Sequence, residues 1–275
     1  MTRLFYFITF SLQGGNILSL NLCRKIKAYN MKTEDQNKIH IDTIIVSDIH
    51  LGSEVSRPSQ VIDMLQSYKF NRLILLGDIF DDLNFRRLKK EHWKLLSFIR
   101  KLSNPDRNTE VIWVEGNHDE GLIDIMSHLM GVKAYKEFSW IYRNRKFLAI
   151  HGHQFDRFLN ENIIVSAVSS FIYNKIQKYD RENQTISRFI KKKSKGLLRL
   201  SLKIADRAIE HCRRQNADVI ICGHTHHSLF KKVSGAEYYN TGCWTDIPSS
   251  YITIDFSGNI RINEFIEVSN FKMAS

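Results

Sequence analysis

The chain has 275 residues, 43% hydrophobic with only three prolines, which argues against a disordered or fibrous chain and suits one large domain or two small ones. Its formal charge of +11 favours anionic partners: phosphates, nucleic acid or an acidic membrane surface. Four cysteines without CxxC spacing argue against a disulfide framework and fit reduced thiols in a reducing compartment.

The N-terminus is ambiguous. Residues 4–23, LFYFITFSLQGGNILSLNLC, are apolar but broken by QGGN, so they make a poor transmembrane span. Two other readings stand beside that one. Arg3 ahead of a short apolar core resembles a signal peptide, although no convincing small-residue cleavage site follows; alternatively, Met31 is the true start. Residues 1–40 read as an N-terminal extension and 41–275 as the main domain.

From residue 42 the pattern is regular. Short apolar, β-branched runs ending in turn residues predict strands at 42–48 (DTIIVSD), 72–78 (RLILLGD) and 110–117 (EVIWVEGN). A hairpin turning at Asn144 covers 138–152, and a fifth run, DVIICGH, covers 218–224. Helical periods lie between the strands at about 58–69, 87–102 and 120–130. Such alternation implies a layered α/β fold. After residue 227, AEYYNTG, SYITIDFSG and NIRINEFIEV are three more strand-like pieces, and they suggest a second, partly antiparallel sheet packed on the first.

Residues 155–215 interrupt the strand series with a long, mostly helical stretch. It holds 14 Lys or Arg against 6 Asp or Glu, so most of the excess charge lies here. Leu197, Leu200, Ile204 and Ala208 fall on one helical face, ringed by basic residues. Two readings compete: a helix packed on the core with a solvated basic face, or a basic lid over the site that also touches anionic lipid.

Five short pieces sit at or just past the carboxyl ends of predicted strands: SDIHLG (47–52), GDIFDD (77–82), GNHDE (116–120), HGHQFD (151–156) and GHTHH (223–227). Ligands bind at this edge in layered α/β folds. Each piece alone could be a turn. Five in order, built from Asp, Asn and His, point to metal. Hard oxygens mixed with imidazoles suit Mn²⁺, Fe²⁺ or Zn²⁺. Residues two apart in an extended segment face the same side, so Asp48 with His50, and His224 with His226, can each face one ion. The donors are too many for one ion and fit two with a bridging carboxylate. Two such metals clamp a phosphoryl group and generate a hydroxide at neutral pH.

The set resembles the calcineurin-like metallophosphoesterase family from about residue 42 onward: Asp48-Ile49-His50, Gly77-Asp78-Ile79-Phe80-Asp81, Gly116-Asn117-His118-Asp119, His151, and Gly223-His224-Thr225-His226. The resemblance implies a four-layer α-β-β-α sandwich with a helical insertion. It implies that Asp48, His50 and His226 hold one divalent ion, that Asn117, His151 and His224 hold the other, and that Asp78 bridges them. Mn²⁺ is the first expectation, with Fe²⁺ or Zn²⁺ as alternatives. His118 would donate a hydrogen bond or proton to the phosphate or leaving oxygen, with Asp48 or Asp119 fixing its orientation. His227 would pack or support.

Within that family the chain looks most like the UDP-2,3-diacylglucosamine pyrophosphatase branch, through the same five pieces and YYNTGCW (238–244). There the insertion caps the site and holds the acyl chains of a lipid–nucleotide substrate. The implied protein is cytoplasmic, peripheral on the inner membrane, in lipid A biosynthesis. Three positions depart from the pattern: His118, where many strict members have Arg; His153, where relatives usually have Asp; and Cys243, within GCW rather than GDW. None is a predicted metal ligand. A soluble-nucleotide or nucleic-acid phosphodiesterase is the alternative, and a non-catalytic scaffold a second. No aromatic array alternates with basic residues along a strand, so nucleic acid is the weaker of the anionic partners.

Overall fold

The computed structural model describes residues 38–156 and 195–266. The chain divides into two units, Met1–Ile39 and His40–Ser275; the architecture below is that of the second. In chain order its main elements are β1 (Thr43–Val46), α1 (Pro58–Gln66), β2 (Arg72–Leu76), α2 (Lys90–Leu102), β3 (Glu110–Val114), α3 (Ile123–Met130) and β4 (Lys133–Tyr135). The hairpin β5 (Glu137–Tyr142) and β6 (Arg145–Ile150) follows, then α4 (Lys195–Arg214), β7 (Val219–Cys222), β8 (Leu229–Val233), β9 (Ala236–Asn240), β10 (Ser249–Ile254) and β11 (Ile260–Phe265).

The elements make two sheets. The first runs β11-β10-β1-β2-β3-β4, parallel from β1 to β4, with β10 antiparallel to both β1 and β11. The second runs β8-β9-β7-β6-β5, parallel in its middle and antiparallel at both ends. Both faces of β1, β2 and β3 are covered, so these strands are apolar throughout instead of alternating. Ile44, Val46, Leu73, Leu75 and Trp113 pack under α1, α2 and α3. Ile45, Ile74, Leu76 and Ile112 point the other way, onto Phe147, Ala149, Val219 and Ile221 of the second sheet. The far face of that sheet, with Leu148, Ile150 and Ile220, is covered by Ala205, Ala208, Ile209 and Cys212 of α4. The result is the expected four-layer α-β-β-α sandwich.

Four details differ from the sequence reading or refine it. First, the last three strands do not form a sheet of their own. Only β9 enters the second sheet, while β10 and β11 return to extend the first. Apolar alternation marks a strand and leaves its neighbour unspecified. Second, β8 was not expected: Lys231 and Lys232 in an edge strand dilute its apolar signal. Third, the C-terminal part of the 155–215 stretch is the sandwich's outer helical layer. Ser201, Ile204, Ala205, Ala208 and Cys212 are buried there, whereas Leu198 is exposed and Leu200 only half-buried. Residues 157–194, the remainder of that stretch, lie outside the described residues, as does the 1–37 part of the N-terminal extension. Fourth, the turn at Asn144 is a two-residue loop with Arg143 and Asn144 at φ 51° and 60°, the left-handed geometry that suits a tight hairpin.

Candidate metal centre

The five chemical pieces leave the carboxyl ends of β1, β2, β3, β6 and β7, two sheets meeting at one edge. Ten described non-glycine residues have positive φ, and five of them are Asp48, His50, Asp78, His224 and His226. Left-handed backbone is unfavourable for such residues, typically by about 1–3 kcal/mol each, and persists only where the surroundings enforce it. Here it turns the chain sharply past each strand and aims the side chains inward.

Close packing enforces it further. A Cβ at Gly116 would lie 2.2 Å from the Asp78 nitrogen and 2.3 Å from its Oδ1. At Gly223 it would lie 2.5 Å from Asp48 Oδ2. Only glycine lets these two loops reach the carboxylates they flank.

Three groups of donors converge: Asp48, His50 and His226; His50, Asp78 and His118; and Asp78, His151 and His224, with the ligand atoms of each group within 4.8 Å of one another. In the first, Asp48 Oδ1 is 3.1 Å from His226 Nε2 and 4.0 Å from His50 Nε2. The two imidazole nitrogens are 3.2 Å apart. In the last, His151 Nε2 is 3.2 Å from Asp78 Oδ2. Six predicted ligands therefore come together around Asp78, which belongs to two of the groups. Asn117 is exposed, between Gly116 packed on Asp78 and His118, whose backbone N–H donates to Asp78 Oδ1 at 2.9 Å.

The electrostatics are those of a cluster built around positive charge. Burial pushes the Asp48 carboxyl up, but the His226 imidazole more than reverses this, to about 2. Burial acts the same way on Asp78, and His151 holds it well below the carboxylate range. Conversely, burial lowers His151, and the Asp78 carboxylate lifts it to about 9.

Do these residues fit metal ions? Asp48 Oδ1, His50 Nδ1 and His151 Nε2 are buried without a hydrogen-bond partner. The His151 Nδ1–H donates to the Leu76 carbonyl at 2.9 Å. Its other nitrogen thus turns a lone pair towards a carboxylate oxygen, and a proton or a cation must lie between them. Converging lone pairs of mixed carboxylate and imidazole character fit a pair of divalent cations.

His118 stands at the mouth, with 41% of its side chain exposed. Its Nε2 is 4.0 Å from Asp78 Oδ2, and its ring meets that of His50 edge-on at 5.1 Å. The orienting group differs from the expectation. Asp119 is fully buried, and its carboxylate accepts the backbone N–H groups of Ile79 and Phe80, each at 2.9 Å. Burial, with Asp78 nearby, raises Asp119 to about 7. The His118 ring is held by Asp81 instead, through the carbonyl oxygen 2.5 Å from Nδ1. The same Asp81 sets its carboxylate 3.6 Å from His50 Nδ1, and Arg87 anchors that carboxylate at 2.8 Å. Asp81 lies within the GDIFDD piece, but a backbone carbonyl carries no sequence signal. Asp156, 3.3 Å from His224 Nε2, was likewise missed. His153 sits beside His151 and His224, ring centroids 5.5 and 6.3 Å away, outside the three groups.

The sequence profile of the calcineurin-like phosphoesterase family matches residues 41–228. UDP-2,3-diacylglucosamine hydrolase of Blochmanniella pennsylvanica is 24% identical, over 81% of this chain and 96% of its own. Among solved structures, a novel archaeal phosphodiesterase is similar at 16% identity and a TM-score of 0.46, covering 81% of this chain and 98% of its own. A Vps29 single mutant from Entamoeba histolytica is similar at 18% identity and a TM-score of 0.40, covering 82% and 99%.

Proposed function

The chain belongs to the calcineurin-like phosphoesterase family, and from that premise we propose that it hydrolyses the pyrophosphate bond of UDP-2,3-diacylglucosamine or a similar nucleotide-linked lipid. The coarser activity, metal-dependent hydrolysis of a phosphoester, follows from the family itself. The observation that carries the reading is the convergence of five histidines on the carboxylates of Asp78 and Asp48 at the edge shared by the two sheets.

In this reading Asp48, His50 and His226 hold one divalent ion, and Asn117, His151 and His224 hold the other, with Asp78 common to both. Bound divalent ions, Mn²⁺ foremost, supply a nucleophile at neutral pH and neutralise charge on the phosphoryl oxygens. The remaining work falls to the protein. A carbonyl can only accept, so the Asp81 oxygen fixes the His118 proton on Nδ1. A proton carried on Nε2 would point into the site and would be the one available to a leaving oxygen. The exposure of His118 places this donor where an incoming phosphoryl group arrives. Asp119 holds the backbone of Ile79 and Phe80 and thereby the turn that presents Asp78.

Support for a lipid–nucleotide substrate is the named relative and the composition of the 155–215 stretch, whose positive charge suits a diphosphate and whose apolar residues suit acyl chains. Such a substrate would bring the protein to a membrane surface as a peripheral visitor. No helix among the described residues is long and apolar enough to cross a membrane.

The test is hydrolysis of UDP-2,3-diacylglucosamine with Mn²⁺ added, run beside bis-p-nitrophenyl phosphate. Release of UMP, with much weaker action on the diester, is the expected result. Activity on the diester alone would keep the metal chemistry and move the substrate to soluble nucleotides or other phosphodiesters.

A further inference from the structure

Asp48 is completely buried, and its two oxygens live in different surroundings. Oδ1 faces His226 and His50 and has no hydrogen-bond partner. Oδ2 faces away from them and is fully engaged. It accepts the hydroxyl of Ser47 and, at 3.1 Å, the backbone N–H of His224. Ser47 is itself completely buried, and its Oγ lies 2.5 Å from Thr241 Oγ1, also buried. The Gly242 carbonyl is 3.2 Å from the same Oγ, and the Cys222 carbonyl 3.3 Å from Thr241 Oγ1.

The protons can be assigned. A hydroxyl has one proton and two lone pairs. The carboxylate is the strongest acceptor within reach of Ser47, so the Ser47 proton goes to Asp48 Oδ2. That leaves Ser47 Oγ as an acceptor, and the Thr241 hydroxyl can fill it. The protons then run in one direction, from Thr241 to Ser47 to Asp48, and each bond polarises the next.

The placement matters as much as the chemistry. Ser47 follows β1 in the first sheet and Thr241 follows β9 in the second. The loop around Thr241 is locked in turn: Gly242 N–H donates to Asn240 Oδ1 at 3.0 Å, and Asn240 Nδ2 donates to the Gly223 carbonyl at 2.5 Å. The chain of hydroxyls therefore crosses from one sheet to the other directly beneath the metal centre.

We propose that Ser47, held by Thr241, is a positioning residue that pins Asp48 Oδ2 so that Oδ1 alone is presented to the metal. The assignment rests on the reading of Asp48 as a metal ligand. Without the Ser47 hydroxyl, Oδ2 keeps only one donor, and the carboxylate can rotate about its χ2 torsion. Groups that orient a ligand in this way are typically worth about 10–100-fold in metal affinity.

The experiment is Mn²⁺ titration of metal-stripped protein by calorimetry, with the metal-free melting temperature measured in parallel. Wild type, Ser47→Ala, Thr241→Val and Thr241→Ser are compared. Ser47→Ala should melt close to wild type and bind Mn²⁺ about 10–100-fold more weakly. Thr241→Val should weaken binding by less, and Thr241→Ser, which keeps the hydroxyl, should restore it. Should Ser47→Ala fail to fold, the Thr241 pair decides alone. Unchanged Mn²⁺ affinity in a folded Ser47→Ala, or in Thr241→Val where the first does not fold, overturns the assignment. Wild type without saturable Mn²⁺ binding overturns the metal-ligand reading of Asp48 and the assignment with it.

Discussion

Asp78 and His118 touch the same cluster, yet their loss should be felt differently. Asp78 shares in two of the three donor groups and accepts the His118 backbone N–H. Asp78→Ala should therefore abolish high-affinity Mn²⁺ binding and activity together. His118 has an exposed ring tied to the protein through the Asp81 carbonyl. His118→Ala should leave Mn²⁺ affinity nearly unchanged while the turnover rate falls about 10²–10⁴-fold, the usual contribution of a general acid. Calorimetry and steady-state kinetics on the two variants separate these outcomes, and equal metal loss in both would make His118 a ligand. At this scale the sequence was most legible where chemistry shows in residue type. Asp and His after successive strands named the donors that the structure brings together. It was silent where the contribution comes from backbone, as with the Asp81 carbonyl, or from a partner nearly two hundred residues away, as with Ser47 and Thr241.

The strands β2, β3 and β4 are laced at the end of the sheet opposite the metal centre. Glu110 of β3 accepts from Arg72 Nε of β2 at 2.8 Å and from Lys133 Nζ of β4 at 2.7 Å. Burial pushes Glu110 up, but Lys133 and Arg72 outweigh it and hold the carboxyl below its ordinary 4.5. A group whose folded value is depressed adds stability above its unfolded value and loses it as pH falls through the folded one. Glu110 is about a third exposed, so the lacing is worth about 0.5–1 kcal/mol. Glu110→Gln should be less stable than wild type by that amount at pH 7, and the gap should close below pH 4.5. Urea unfolding in EDTA at both pH values measures it, and a gap independent of pH would mean that packing and not charge joins the strands. The apolar runs of β1, β2 and β3 were readable because a doubly covered strand is apolar throughout. The destination of β10 and β11 was not, since a strand's pattern records which face is buried and nothing about its neighbour. The helix α4 shows the same division. Its amphipathic face was visible in the spacing, but only the fold reveals that Ala205, Ala208 and Cys212 cover the second sheet.

The whole sandwich closes on the candidate metal centre. Asp48 and Asp78 come from the first sheet, while His151, His224 and His226 come from the second. Between the sheets the core is hydrophobic and indifferent to metal, but at this edge buried carboxylates and imidazoles face one another with unpartnered atoms. Cations bound there would tie the two sheets together and would be absent from the unfolded chain. Mass action then stabilises the fold as a unit: free Mn²⁺ at a hundred times its dissociation constant contributes about 2.7 kcal/mol per site. Two such sites add about 5.4 kcal/mol, and for a domain of this size that is roughly 10–20 °C in the melting temperature. Thermal unfolding in EDTA and in excess Mn²⁺ should differ by this margin, and the transition should stay single, because both sheets contribute ligands to one centre. Asp78→Ala should show almost no shift. An equal shift in that variant would place the stabilising ion elsewhere on the protein, and two separate transitions in EDTA would show that the sheets are joined by metal more than by the core between them.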